Sequence, residues 1–173
     1  MAAGSILKVV VFGALNAGKT TFVEKLSGQN LFLKGEFESI TTSFDFVQIE
    51  QQESLIHLFA SPGHRRFSFM WNTLATGMNG AILLIDSTVG ITPVDHELIT
   101  FIESYDVPYI VVANKNDICE IKDSQIREEL NISEDIPVVN TSALANQDLE
   151  NIMGSLIKRM KKKLNSSGKS NEN

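Results

Sequence analysis

Apolar residues along this chain gather into two alternating kinds of run. Residues 6–12 (Ile-Leu-Lys-Val-Val-Val-Phe), 78–85 and 107–113 are near-continuous apolar stretches, as in strands buried on both faces of a parallel sheet. Elsewhere apolar positions recur at three-and-four spacing. Leu98, Ile99 and Ile102 do so within 94–103, and Leu149, Ile152, Met153, Leu156, Ile157 and Met160 within 146–163. That period predicts helices with one buried face, the first of them opened by Pro93. Residues 20–26 and 66–75 read as further helices, and 121–130 as a weaker one. Residues 43–50 and 53–59 read as neighbouring strands. Only Gln51 and Gln52 separate them, which leaves room for a tight antiparallel hairpin. Residues 136–140 supply a short edge strand. The order βα-ββ-αβαβαβα predicts an α/β fold, a six-stranded, mostly parallel sheet with helices on both faces.

In such sheets ligands gather outside the C-terminal ends of the strands. The first of these ends carries Gly13-Ala14-Leu15-Asn16-Ala17-Gly18-Lys19-Thr20, which fits G-x-x-x-x-G-K-[ST] at every fixed position. It lies between a predicted strand and a predicted helix, the setting the motif requires. Its glycines allow a nest of backbone N–H groups facing an anion, and the helix N-terminus adds its dipole. Lys19 is placed to reach β- and γ-phosphates, and the Thr20 hydroxyl to bind Mg²⁺. Residues 60–64, Asp86, 114–117 and 141–143 fall at the other strand ends, which points to one shared site. Asn114-Lys115-Asn116-Asp117 suits a guanine base. A carboxylate at Asp117 accepts from the guanine N1–H and exocyclic amine, whereas adenine N1 meets it acceptor to acceptor. Asn114 is expected to tie this loop to the phosphate loop, and Lys115 to lay its stem over the base. Thr141-Ser142-Ala143 is expected to offer a backbone N–H to guanine O6.

Composition narrows the setting. The chain has 173 residues, which suits a single domain over 1–165; the polar residues 166–173 are expected to fray or be disordered. A net charge of −6 argues against a general nucleic-acid binder. Cys119 has no cysteine to pair with, as suits a reducing, cytoplasmic location. The first residues run into a strand without a charged leader or signal segment. No apolar run approaches the roughly 20 residues that span a bilayer, and no C-terminal cysteine offers a prenylation site. The basic residues within 158–163 suit a helix C-terminus or a weak peripheral hold on an anionic membrane. His57, His96 and Cys119 form no metal-binding pattern.

From residue 6 to about 163 these motifs resemble a small Ras-like GTPase of the P-loop G-protein superfamily, of the prokaryotic (bacterial or archaeal) type. The resemblance implies a Ras-like P-loop fold and a molecular switch that hydrolyses GTP to GDP and phosphate, slowly without a partner. It implies that Gly13, Asn16, Ala17, Gly18, Lys19, Thr20, Thr21, Gly63, Asn114, Lys115, Asp117, Thr141, Ser142 and Ala143 bind the nucleotide. Thr20 and Thr41 would ligate Mg²⁺, with Thr42 as the alternative register for the second. His64 would orient the attacking water, with Lys19 and Thr41 as the other catalytic groups. Effectors or regulators would bind switch I, about 32–46, and the switch II helix, 64–74.

The chain departs from that pattern at two places. Ala60 stands where the family has an aspartate that holds Mg²⁺ through a water, and Asp45 and Asp86 are the carboxylates open to compensate. A nucleotide-binding interaction module that does not cycle is therefore the alternative function. Leu15 stands where an incoming arginine finger needs room. The adjoining Asn16 is similar to the branch of the family that uses K⁺ in place of that finger, although asparagine also suits the positive-φ positions of such a loop. Arg65 and Arg66 are candidates to stabilise charge in cis or to anchor switch II, and Phe67, Phe69, Met70 and Trp71 are open to core packing or partner binding.

Overall fold

The computed structural model describes residues 4–28, 45–145 and 148–168. In chain order the elements are β1 (Ser5–Gly13), α1 (Lys19–Ser27), β2 (Asp45–Gln51), β3 (Ser54–Ala60), α2 (Phe69–Ala75), β4 (Gly80–Asp86), α3 (Pro93–Glu103), β5 (Tyr109–Asn114), α4 (Asp123–Leu130), β6 (Val138–Asn140) and α5 (Leu149–Gly168). The six strands form one sheet in the order β2-β3-β1-β4-β5-β6. Every pairing is parallel except that of β2 with β3. This is the Ras-like α/β arrangement that the hydrophobic pattern and the motifs predict.

The apolar runs form the central strands because both faces of the sheet are covered. All residues of β4 and β5 are buried. On one face Phe22, Val23, Ile152, Met153, Leu156 and Ile157 of α1 and α5 pack over Val9, Val11, Ile82 and Ile110. On the other, Trp71, Leu74, Leu98, Ile102 and Ile126 of α2, α3 and α4 pack over Val10, Phe12, Leu83 and Val111. Helix α3 starts where Pro93 and a capping box predict. The Thr92 N–H donates to Asp95 Oδ2 at 2.8 Å, and the Asp95 N–H donates back to Thr92 Oγ1 at 3.4 Å.

Most element ends shift by one to three residues from expectation, and three differences bear on the reading. Gln51 pairs with Ser54, so the hairpin turn is Gln52-Glu53. Both turn residues have positive φ (50° and 58°), the backbone of a type I′ turn, formed here without glycine. The expected helix 66–75 divides into a 3₁₀ turn, Arg65–Phe67, followed by α2. Helix α5 runs past residue 163 to Gly168, where the Ser166 and Ser167 hydroxyls bond back to the Lys163 carbonyl. The basic run therefore lies inside the helix rather than at its end. Three of its side chains are held by the fold: Arg159 by the Asp135 carbonyl, Lys161 by the Gln52 carbonyl and Lys163 by Asp106. No helix among the described residues is long and apolar enough to cross a membrane.

Candidate functional site

The loop between β1 and α1 wraps around a buried ammonium group. Lys19 is 8% exposed, and its Nζ donates to the carbonyls of Gly13 and Ala14, each at 2.7 Å. Burial pushes its pKa down to about 8, against the pull of the Asp95 and Asp45 carboxylates. Asn16 (φ 64°) and Gly18 (φ 96°) take left-handed backbone to make the loop's turn. At Gly18 a side chain is also blocked sterically, since a Cβ would lie 2.3 Å from Asn114 Nδ2. The loop after β3 closes over this turn, with its Ser61 N–H bonded to the Val11 carbonyl at 2.9 Å. A Cβ on Gly63 would lie 2.8 Å from both Lys19 Nζ and Leu15 Cα. With two of its three N–H donors on its own loop's carbonyls, and with Gly63 leaving no room for a side chain above it, the buried ammonium sits in a backbone cradle suited to an anion.

The first residue of α1 after Lys19 carries the hard-oxygen side of the site. Thr20 Oγ1 donates to Asp45 Oδ2 at 2.5 Å, bridging α1 and β2. Asp45 is paired directly with Ala60 across the β2–β3 ladder. Thr21 lies half-buried in the first turn of α1. Thr41, Thr42 and most of expected switch I fall outside the described residues. Among the described residues no group of three His, Cys, Asp or Glu side chains could hold a metal. A hydroxyl beside a carboxylate, next to an anion-suited loop, fits the needs of Mg²⁺, which takes few protein oxygens and fills the rest of its shell with phosphate and water.

Asn114 joins three loops. It is 3% exposed at the end of β5; its Nδ2 donates to the Ala17 carbonyl and its Oδ1 accepts from the Ala143 N–H, both at 2.9 Å. Asn116 N–H donates to the Thr141 carbonyl at 2.9 Å, which adds a second tie between the 114–117 and 141–143 loops. Thr141, Ser142 and Ala143 are buried, and Asp117 is exposed. The Ala143 N–H is thus engaged by Asn114, so a base carbonyl at that position has to share it. Lys115, in left-handed backbone (φ 67°), bonds the Asn16 carbonyl and the Asp86 carboxylate, each at 2.6 Å. Burial raises the Asp86 pKa, but the hydrogen bonds from Lys115 and Thr88 and the charge of Lys115 outweigh it and leave the carboxyl below its ordinary value. Sequence reasoning placed Asp86 at the site without a partner. The signal was available only in register, because Asp86 lies opposite Asn114, next to Lys115.

His64 is exposed just before the 3₁₀ turn, its ring edge-on to Phe67 with centroids 6.4 Å apart. Arg65 ion-pairs with Glu97 of α3 at 2.7 Å, and the Arg66 guanidinium lies over the Phe67 ring. Trp71 is buried against Phe101, whereas Phe69 is 67% exposed. The aromatic cluster therefore divides into core and surface.

Comparison with known proteins bears on the fold and the family. The elongation factor Tu GTP binding domain family matches residues 33–162. An uncharacterised protein of Methanocaldococcus jannaschii is 38% identical over 120 residues, covering 69% of this chain and 77% of its own length. Translation initiation factor IF-2 of Pelagibacter ubique is 26% identical over 86% of the chain, and GTPase Der of Lawsonia intracellularis 26% identical over 87%. The chain spans only 21% and 37% of those two proteins. Among solved structures, a bacterial selenocysteine-specific elongation factor superposes with a TM-score of 0.74 at 23% identity, over 91% of this chain and 29% of that one. Aquifex aeolicus Era bound to GDP and AlF₄⁻ gives 0.70 at 22% identity, over 90% of this chain and 57% of that one. The chain belongs to the elongation factor Tu GTP-binding domain family, within the prokaryotic P-loop GTPases.

Proposed function

We propose that this chain binds GTP and GDP with Mg²⁺ and acts as a switch, hydrolysing GTP to GDP and phosphate slowly unless a partner assists. The observation that carries this reading is Asn114. One buried amide fixes the phosphate loop, the guanine-suited loop that ends in Asp117, and the 141–143 loop relative to one another. Lys19 exchanges the Gly13 and Ala14 carbonyls for phosphate oxygens, with Gly13, Asn16, Ala17, Gly18, Thr20 and Thr21 lining the same cradle. Asp117 reads the guanine edge, Lys115 covers the base, and Thr141, Ser142 and Ala143 close the pocket behind it. Thr20 and Thr41 hold Mg²⁺, which supplies charge neutralisation at the phosphates. His64 orients the attacking water from the loop whose Gly63 passes too close to Lys19 to carry a side chain. Phosphate clamping and water positioning carry most of the rate in such chemistry.

Titration with fluorescent GDP and ADP tests the base preference. GDP is expected to bind more tightly, by an amount that Asp117→Ala abolishes; equal affinities would sink the assignment. Multiple-turnover phosphate release in Na⁺ and in K⁺ tests hydrolysis and the K⁺ role suggested by Asn16. His64→Ala is expected to lower turnover more than nucleotide affinity. A second reading, a nucleotide-binding module that does not cycle, is favoured by Ala60, where the family resemblance implies an aspartate. It predicts retained nucleotide and no catalytic phosphate release.

A further inference from the structure

We propose that Asp45 supplies, from the neighbouring strand, the metal-supporting carboxylate that position 60 lacks. The inference rests on the Mg²⁺–nucleotide reading above. Ala60 ends β3 and is 2% exposed, so its methyl group offers nothing to a cation or its water. Asp45 begins β2 and is the residue paired with it. Side chains directly opposite in an antiparallel pair leave the same face with Cβ atoms about 4.5–5.5 Å apart. A carboxylate on β2 therefore enters the space that one on β3 would have used.

The side chain is already turned that way. Asp45 Oδ2 accepts from the Thr20 hydroxyl at 2.5 Å, and its charge acts on Lys19. A hydroxyl that donates to a carboxylate keeps its lone pairs free for a cation and carries more negative charge on its oxygen. Asp45 thus orients Thr20 and adds a formal charge beside the ion, a positioning role exercised through Thr20. The other candidate, Asp86, is committed elsewhere. Its Oδ2 is held by Lys115 and its Oδ1 by the Thr88 N–H and hydroxyl, on the base side of the site.

The test is the Mg²⁺ dependence of fluorescent GDP release, measured from EDTA through millimolar Mg²⁺, on wild type, Asp45→Asn, and the exchange variant Asp45→Ala with Ala60→Asp. Asp45→Asn keeps the shape of the side chain and removes its charge. It is expected to need about tenfold more Mg²⁺ for half-maximal slowing of release, with an unchanged rate in EDTA. The exchange variant is expected to recover the wild-type Mg²⁺ requirement. An unchanged Mg²⁺ midpoint in Asp45→Asn overturns the proposal. So does faster release by the same factor in EDTA and in Mg²⁺, which marks a structural bond only. Electron paramagnetic resonance of Mn²⁺ added to each GDP complex gives a second readout, with weaker Mn²⁺ binding expected in Asp45→Asn alone. Wild-type release that ignores Mg²⁺ altogether would instead overturn the metal–nucleotide reading, whatever the variant does.

Discussion

Lys19 carries the main conflict at the residue scale: an ammonium group that the fold buries. Its pKa is about 8 against 10.5 for an ordinary lysine. Below about pH 8 the amine is charged in both the folded and unfolded chain, and the folded state bears a cost of about 3 kcal/mol for burying it. Between about pH 8 and 10.5 the folded chain releases the proton first, so stability rises with pH until the cost is gone. Urea unfolding of nucleotide-free protein at pH 7.5 and pH 10 should show this gain relative to Lys19→Met, in which the group is absent. Parallel pH profiles in the two proteins would refute the conflict. Phosphate reverses the sign by restoring the charge, so GDP affinity should fall as pH rises above 8. The place of Lys19 was legible in the sequence because its motif has fixed spacing. The partners of Thr20 and Lys115 were not, because Asp45 and Asp86 reach them through strand register and no short motif encodes that.

At the scale of elements, the segment from His64 to Ala75 shows where pattern reading stops. A single helix over 66–75 gives each aromatic residue a fixed angle around one axis. A 3₁₀ turn, at about three residues per turn, instead precedes α2. Phe67 and Trp71, four residues apart, face inward and Phe69 between them faces out, a division the helical period alone already gives. The 3₁₀ turn thus shifts where the helix begins rather than which faces are buried. Trp71, wedged against Phe101, should cost about 3–5 kcal/mol when cut to alanine. Phe69→Ala should leave stability within about 0.5 kcal/mol of wild type. Thermal and urea unfolding check both values. Among the described residues Phe69 is the exposed aromatic beside the loop after β3, and we propose it as one a partner would touch. A stability loss at Phe69 as large as that at Trp71 would remove it from the docking surface and return it to the core. The inner strands, in contrast, were legible almost residue for residue, since burial on both faces leaves few polar positions to confuse the period.

At the scale of the whole molecule, the sheet order places five loops at one end and helix α5 along one face. The sequence implied that convergence from the position of each motif after a strand, but not the ties that make the loops one unit. Those ties are long-range: Asn114 to Ala17, Lys115 to Asn16 and Gly63 against Leu15. They also set the reach of a nucleotide-driven change. On the proposed reading, a γ-phosphate would displace Lys19 from the Gly13 and Ala14 carbonyls and meet the backbone at Gly63, so the loop after β3 would respond. On the same reading, Thr41 would tie the phosphate and its metal to switch I, most of which lies outside the described residues. Helix α5 packs on the sheet by Ile152, Met153, Leu156, Ile157 and Met160 and has no phosphate contact to gain. Hydrogen exchange should therefore show added protection over residues 35–45 and 61–72 on replacing GDP with a non-hydrolysable GTP analogue, and none over 149–163. Ala60 sharpens the measurement. If Asp45 on β2 carries the metal-supporting charge, as proposed, γ-phosphate sensing by 61–72 would depend on Gly63, and Gly63→Ala should suppress protection there while leaving 35–45 responsive. Identical exchange in the GDP and GTP-analogue forms at both segments would defeat the switch and leave the static nucleotide-binding module.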